Sequence, residues 1–225
     1  MSRLLRRVKA VIFDMDGVIT NTMPYHFDAW METLKAAGIK VDCYDVYLRE
    51  GQPGLSTLME LSKERGIKLS LAQAKDILLK KEILFKRIVK TRFVKGSRPY
   101  LRYLKRRKFL LGLVTGTSRH EARKILHKEL FALFDVTVTG DEVAHGKPHP
   151  EPFLKALKGL KISPEEALVI ENAPLGIEAA KKAGLFCAAL ETSLPEKYLK
   201  KADIICKTFS QLRKSLRLVQ PVNNP

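Results

Sequence analysis

The run Val8–Phe13 and the residues that end it constrain this chain most. It is nearly continuous in apolar, branched side chains, as expected of a strand buried on both faces within a parallel sheet. It stops at Asp14-Met15-Asp16-Gly17, a turn loaded with carboxylate. Similar runs recur at Phe109–Val114, Val136–Thr139, Ala167–Ile170 and Phe186–Leu190, with a weaker one at Asp203–Cys206. Between them Arg119–Leu130 and Pro152–Leu160 have helical spacing, and Pro174–Ala183 reads as a helix closed by Gly184, where a left-handed turn is wanted. Ser163, Pro164 and Glu166 form a capping box with Pro at the first helical position. Strands alternating with helices predict a doubly wound, Rossmann-like α/β fold with a parallel sheet, whose ligands bind at the carboxyl ends of the strands.

The segment from about Ile19 to Lys95 differs. It has no convincing strand run and offers amphipathic helical stretches near Tyr25–Ala37, Leu55–Arg65 and Ser70–Lys90. It reads as a small all-helical cap domain inserted directly after the first strand, so both of its ends leave the sheet at the ligand-binding edge. The expected division is an α/β core over 1–18 and 96–220, a helical cap over 19–95 and a flexible tail over 221–225, with fraying already from Gln220.

Composition narrows the setting. The 225 residues include 41 Lys and Arg against 24 Asp and Glu, a formal net charge of +17, which leaves phosphorylated substrates, nucleic acid and acidic surfaces open as partners. The basic clusters Arg3–Lys9, Lys80–Arg92 and Arg102–Lys108 lack the interleaved aromatics of single-strand binders and any base-reading motif, so no specific nucleic acid is expected. Cys43, Cys187 and Cys206 make no C-x-x-C pair, which argues against a zinc site or a disulfide framework and fits a cytoplasmic compartment. The apolar run after the basic N-terminus is too short for a signal-peptide core, and no segment approaches the roughly 20 apolar residues of a membrane span. A monomer free of membranes is expected.

In extended backbone, residues two apart face the same side, so Asp14 and Asp16 can point into one site. Two such carboxylates repel unless a cation or a proton is shared, which makes the pair a candidate Mg²⁺ site, and Gly17 lets the backbone turn sharply beside it. Thr115 and Gly116 stand where the second core strand ends, offering a hydroxyl and backbone N–H groups to a phosphate. Lys147, in Gly146-Lys147-Pro148-His149-Pro150, is a cation on a rigid loop before a helix, and Glu171 and Asn172 end another strand. Each alone reads as an ordinary cap, surface lysine or helix-start acid. Together they place an anion site, a cation and oxygen ligands on one edge of one sheet.

These motifs, D-M-D-G-V at Asp14, V-T-G-T-S at Val114, G-K-P-H-P at Gly146 and I-E-N-A-P-L-G-I-E-A-A at Ile170, resemble the haloacid dehalogenase superfamily, in its helical-cap phosphatase and β-phosphoglucomutase branch. The resemblance implies a Mg²⁺-dependent phosphomonoester hydrolase acting on a sugar phosphate or similar small phosphorylated metabolite. Asp14 would be the nucleophile that forms an aspartyl-phosphate, and Asp16 the general acid and then base. Thr115, Gly116 and Lys147 would hold the phosphoryl oxygens. Mg²⁺ would be bound by Asp14, Asp16 and a residue of the Glu171–Asn172 pair, Asn172 standing where close relatives usually carry Asp.

The run Thr22-x-x-Tyr25-His26-Phe27-x-Ala29-Trp30 is similar to that of β-phosphoglucomutases and keeps a phosphomutase as the alternative. The stretch Arg49–Gly54 is closer to generic sugar-phosphate phosphatases, which favours hydrolysis. His26 is open between a proton-exchange role beside Asp16 and simple packing, and Arg49 between binding the distal part of a substrate and ending a solvated helix. His120, His127, His145 and His149 show no ligand spacing and receive no role. A basic nucleic-acid-binding protein without catalysis is the third reading.

Overall fold

The computed structural model describes residues 4–221. Six parallel strands, β2 (Ala10–Phe13), β3 (Leu110–Val114), β4 (Val136–Val138), β5 (Ala167–Glu171), β6 (Phe186–Leu190) and β7 (Ile204–Cys206), form one sheet in the order β4-β3-β2-β5-β6-β7. β2 is central: Phe13 lies opposite Leu113 on one side and Ile170 on the other. The chain crosses from β2 to the neighbouring strands in both directions, which makes the C-terminal end of β2 the place where the winding reverses.

Strand alternation divides the core into two layers. Val11, Phe13, Leu111, Leu113, Leu168 and Ile170 face one cluster with α5 (Ser97–Arg106) and α6 (Arg119–Phe131), while Ala10, Ile12, Val169 and Ala189 face another with α7 (Glu151–Leu160) and α8 (Pro174–Lys182). All four residues of β2 are fully buried, as a near-continuous apolar run requires. The predicted capping box at Ser163 is present but closes a single 3₁₀ turn, Pro164–Glu166, because β5 begins at once. Gly184 takes the expected positive φ of 77°.

Between β2 and α5 the chain forms α1 (Met23–Ala36), α2 (Cys43–Tyr47), α3 (Gly54–Glu64) and α4 (Leu71–Ile88). These pack around their own apolar cluster of Trp30, Leu34, Ile39, Val46, Leu58, Leu61, Ala74 and Ile77. Ser70 caps α4 in a reciprocal box with Gln73, and Asp42 does the same for α2 with Asp45. The two connections run side by side. Asn21 N donates to Arg92 O at 2.8 Å and Val94 N donates to Ile19 O at 3.0 Å, so the helical segment joins the sheet through a paired stem.

Several elements escape the sequence reading. β1 (Leu4–Arg7) pairs in parallel with β8 (Leu216–Val219) in a separate two-stranded sheet, so the expected strand Val8–Phe13 is shortened to Ala10–Phe13. α2, α5 and α9 (Phe209–Ser215) were not expected as helices, and the expected helix Arg119–Leu130 is interrupted at His127, whose φ is +56°. Gln220 is not frayed: its side-chain amide donates to Lys108 O at 2.9 Å. Of the expected tail, 222–225 lie outside the described residues, as does Arg3 of the N-terminal basic cluster. Among the described residues no helix is long and apolar enough to cross a membrane.

Candidate active site

The site is built where β2 ends. Asp14 N still donates to Ile170 O at 3.0 Å, extending the ladder by one residue before the chain turns. Met15 O then accepts from the backbone N–H groups of Ile19 and Thr20, both at 2.9 Å, which folds Asp16–Val18 into a tight turn. Gly17 is required twice over. Its φ is +86°, and a Cβ there would fall 2.1 Å from Asn172 Nδ2. Asp14 and Asp16 are each 1% exposed.

Lys147 is drawn inward from the loop before α7. Its ammonium donates to Asp14 Oδ1 and to Glu171 Oε1, both at 2.6 Å, and the residue is 2% exposed. Burial works against its charge, but the two carboxylates prevail and hold Lys147 above the usual lysine range. Asp14 is pushed up to about 8 by burial, reinforced by Glu171 and Asp16 and opposed by Lys147. The second oxygen of Glu171 accepts from Asn172 N at 2.8 Å and Ala173 N at 3.2 Å, so both of its oxygens are engaged. Asn172 Nδ2 donates to Ser193 Oγ at 3.0 Å. Asp14 Oδ2 and Asn172 Oδ1 are buried and have no hydrogen-bond partner among the described residues. Two orphaned hard oxygens beside a carboxylate pair are the donor chemistry that Mg²⁺ takes.

Asp16 is held differently. Thr22 donates to its Oδ1, and Thr117 and Thr115 donate to Oδ2 at 3.1 and 3.3 Å. Burial raises its pKa, but His26 and the hydroxyls of Thr22 and Thr117 outweigh that and keep the carboxyl below its ordinary range. The two acids are thus pushed apart, Asp14 upward and Asp16 downward, and a cation bound at the Asp14 oxygens would bring Asp14 back toward its ionised form.

His26 lies beside this carboxylate, its Nε2 3.6 Å from Asp16 Oδ1, just beyond hydrogen-bond range. Its ring stacks on Phe85 with centroids 4.0 Å apart. Lys81 Nζ stands 3.4 Å from Nδ1. An ammonium can only donate, so Nδ1 carries the lone pair and Nε2 the proton aimed at Asp16. Burial first, then Lys81, lowers the His26 pKa against the pull of Asp16.

The structure brings Asp14, Asp16, Thr115, Lys147, Glu171, Asn172 and His26 together, with Gly116 bordering the same space. Arg49 is the exception: it borders the cavity, yet its guanidinium is committed to Glu60, Glu64 and Asp45 O within the helical segment. A cavity of about 270 Å³ separates that segment from the core, lined by Trp30, Glu50, Lys81 and Lys86 on one side and by Gly116 and Glu121 on the other. A smaller space of about 180 Å³ reaches Thr115, Gly116 and Lys147 beneath Gly51.

Thr22, Thr117, Glu50 and Lys81 received no role from sequence. Thr117 had a signal, since it follows Thr115 by two residues at a strand end. Glu50, whose carboxyl is raised by burial and by Asp16 and Asp14, had none, because only the folding of the helical segment over the sheet brings it there. The same holds for Lys81.

Comparison with known proteins fits this arrangement. The sequence model of the haloacid dehalogenase-like hydrolases matches residues 8–184. A phosphorylated carbohydrates phosphatase of Thermotoga maritima is 38% identical over 184 residues, 79% of this chain and 82% of that one. The β-phosphoglucomutase of Bacillus subtilis is 31% identical over 91% of this chain and 92% of its own. The crystal structure of β-phosphoglucomutase from Clostridium difficile superposes with a TM-score of 0.80 at 26% identity, covering 92% of this chain and 96% of that one. Fold, site and relatives together define an enzyme of the phosphatase class. More particularly, the chain belongs to the haloacid dehalogenase-like hydrolase family, alongside phosphatases of phosphorylated sugars and β-phosphoglucomutases.

Proposed function

We propose that the chain is a Mg²⁺-dependent phosphatase of a sugar phosphate or a similar small phosphorylated metabolite, acting through an aspartyl-phosphate on Asp14. One observation carries the reading: a strand-end carboxylate, Asp14, has one oxygen neutralised by Lys147 at 2.6 Å and the other unpartnered, with a second carboxylate two residues on. Phosphatases of this family are generally Mg²⁺-dependent, and the donor set suits the ion. Asp14, Asn172 and the Asp16 backbone carbonyl would hold it, with Glu171 positioning Lys147 instead of ligating. When bound, Mg²⁺ would offset negative charge on the phosphoryl oxygens.

Asp14 attacks phosphorus as the carboxylate, and the bond to the ester oxygen breaks as Asp16, which must take up a proton from solvent before the cycle begins, gives that proton to the oxygen. Asp16, then ionised, takes a proton from the water that attacks the phosphorus of the acyl phosphate, and Asp14 is released with inorganic phosphate. Lys147, Thr115 and the Gly116 N–H hold the equatorial oxygens through both halves. Gly51 lies on the Lys147 stem, since a Cβ there would fall 2.6 Å from Lys147 Cδ, so the helical segment must lift for substrate to enter.

Mg²⁺-dependent release of phosphate from an aryl phosphate, lost in Asp14→Asn, is the expected result; full activity in Asp14→Asn would overturn the reading. A panel of sugar phosphates, phosphoglycolate and nucleotides then defines the substrate. The placement of Thr22 and His26 against Asp16, in the run similar to the mutases, supports the phosphomutase alternative. Faster formation of glucose 6-phosphate than of free phosphate, from β-glucose 1-phosphate with a trace of the bisphosphate, would decide for it.

A further inference from the structure

The loop that turns Lys147 inward turns two histidines outward. His145 and His149 are exposed, and one ligand atom from each of His145, His149 and Glu151 lies within 4.8 Å of the other two. In their order in the chain, H-x-x-x-H-x-E, the two histidines lie in a Pro-rich loop and Glu151 opens α7, so only the folded loop brings them together.

The carboxylate is already fixed in place. Glu151 opens α7 and accepts from Ala144 N at 2.7 Å and His145 N at 2.9 Å, which closes the loop on itself. His145 Nδ1 stands 2.9 Å from Glu151 Oε2, and His149 Nδ1 stands 4.0 Å from the same oxygen. His149 Nδ1 also accepts from Glu151 N at 3.2 Å, so that nitrogen is unprotonated, and a metal bound there takes the place of this hydrogen bond. The rings lie 4.7 Å apart, centroid to centroid.

Two imidazoles and a carboxylate suit a borderline transition ion such as Zn²⁺, Co²⁺ or Ni²⁺, and Mg²⁺ poorly. With bonds of about 2.0–2.2 Å, ligand atoms around a tetrahedral Zn²⁺ sit about 3.3 Å apart, so His–Glu151 separations of 2.9 and 4.0 Å, in a set no wider than 4.8 Å, close by side-chain rotation. The closed loop keeps the ordering cost of binding low.

We propose that His145, His149 and Glu151 form a surface site for a divalent transition metal, separate from the Asp14 centre, which ties down the loop carrying Lys147. His145 takes the metal on Nδ1 as the neutral imidazole, its N–H moving to Nε2, which faces solvent. The remaining coordination position faces solvent and takes water. Because Lys147 lies between the two histidines in the chain, a filled site stiffens the backbone that presents it.

The test uses the full chain without a histidine tag, in saturating Mg²⁺, titrated with Zn²⁺ against a colorimetric chelator. One equivalent of Zn²⁺ should bind, at least 10-fold more weakly in His145→Ala and in His149→Ala, while both variants keep the basal Mg²⁺-dependent activity. Zn²⁺ should raise the Tm of the native chain and not that of His149→Ala, and Co²⁺ should give the visible absorption of a tetrahedral complex only in the native chain. Equal Zn²⁺ affinity in the double variant, displacement of Zn²⁺ by excess Mg²⁺, or no binding at micromolar Zn²⁺ would each overturn the proposal.

Discussion

Glu171 occupies the place where a side chain at residue 176 would stand: a Cβ on Gly176 would fall 1.9 Å from Glu171 Oε1. α8 therefore rises past the carboxylate only because one of its residues is glycine, and the same oxygen receives the Lys147 ammonium at 2.6 Å. In an exposed helix Gly→Ala stabilises by about 1 kcal/mol. Here the sign reverses, because breaking a buried ion pair costs about 3–5 kcal/mol. Gly176→Ala should lose about 2–4 kcal/mol net, measured by urea unfolding, and should lose phosphatase activity with it. A stabilised variant would show that the helix yields without disturbing Glu171.

Lys147 is the sole ammonium in contact with the Asp14–Glu171 pair among the described residues. Lys147→Met leaves two buried carboxylates facing each other and should destabilise the chain by about 3 kcal/mol or more at neutral pH. Protonation of Asp14, which burial already favours, relieves the repulsion, so the deficit should shrink as pH falls. Equal thermal stability of native and variant chains at pH 7.5 would contradict this.

Asn172 gives the site a neutral amide oxygen where a carboxylate would bring charge. Its Oδ1 is orphaned while its Nδ2 holds Ser193 at 3.0 Å. In Asn172→Asp the Ser193 hydroxyl can donate in place of accepting, so the local geometry has a route to survive. The variant should remain active and bind Mg²⁺ more tightly, by about 10-fold if the added charge supplies about 1.4 kcal/mol. Mg²⁺ dependence of turnover measures it, and weaker Mg²⁺ binding in the variant would exclude Asn172 Oδ1 as a ligand.

Glu142 buttresses the phosphate side from outside. It closes the 3₁₀ turn Gly140–Glu142 against Thr139 and pairs with Arg119 at 2.7 Å, while a Cβ on Gly140 would fall 2.1 Å from Gly116 O. Burial raises the Glu142 pKa, but the Thr139 hydroxyl and Arg119 lower it further. A depressed carboxyl stabilises above its unfolded value, near 4.3, and loses that contribution as pH falls through the folded value. The pair is partly exposed, so Glu142→Gln should cost no more than about 1 kcal/mol at pH 7, and native and variant chains should converge as the pH falls below the carboxylate range. A urea-midpoint difference unchanged between pH 7 and acid would refute the assignment.

The legible parts of the molecule share a physical cause. β2, β5 and β6 are buried on both faces, so their sequences are continuous apolar runs, and a charged residue directly after such a run can only mark the sheet edge. That made Asp14, Asp16 and the Glu171–Asn172 pair readable. β1 and β8 were not, because β1 carries arginines and half-exposed leucines and the alternation of β8 runs over only four residues. Arg49 stays open in sequence because nothing local shows that Glu60 and Glu64 take its guanidinium. Glu50 and Lys81 reach the site only through the docking of helices, which no local pattern records.

Asp16 separates turnover from binding most sharply. Its carboxylate is fixed by hydroxyls of Thr22, Thr115 and Thr117, all of which can turn to donate or accept, so Asp16→Asn keeps the hydrogen bonds and removes only the proton traffic. The loss should fall on kcat, by about 10²–10⁴, with KM and Mg²⁺ dependence nearly unchanged. If Asp16 acts as base in the second half, phosphate should stay on Asp14 longer in the variant, and an activated aryl phosphate, whose leaving group needs no proton, should phosphorylate the enzyme faster than water clears it. Rapid-quench detection of that acyl phosphate is the decisive measurement. A variant whose loss lies wholly in KM would mean that Asp16 binds substrate and moves no proton.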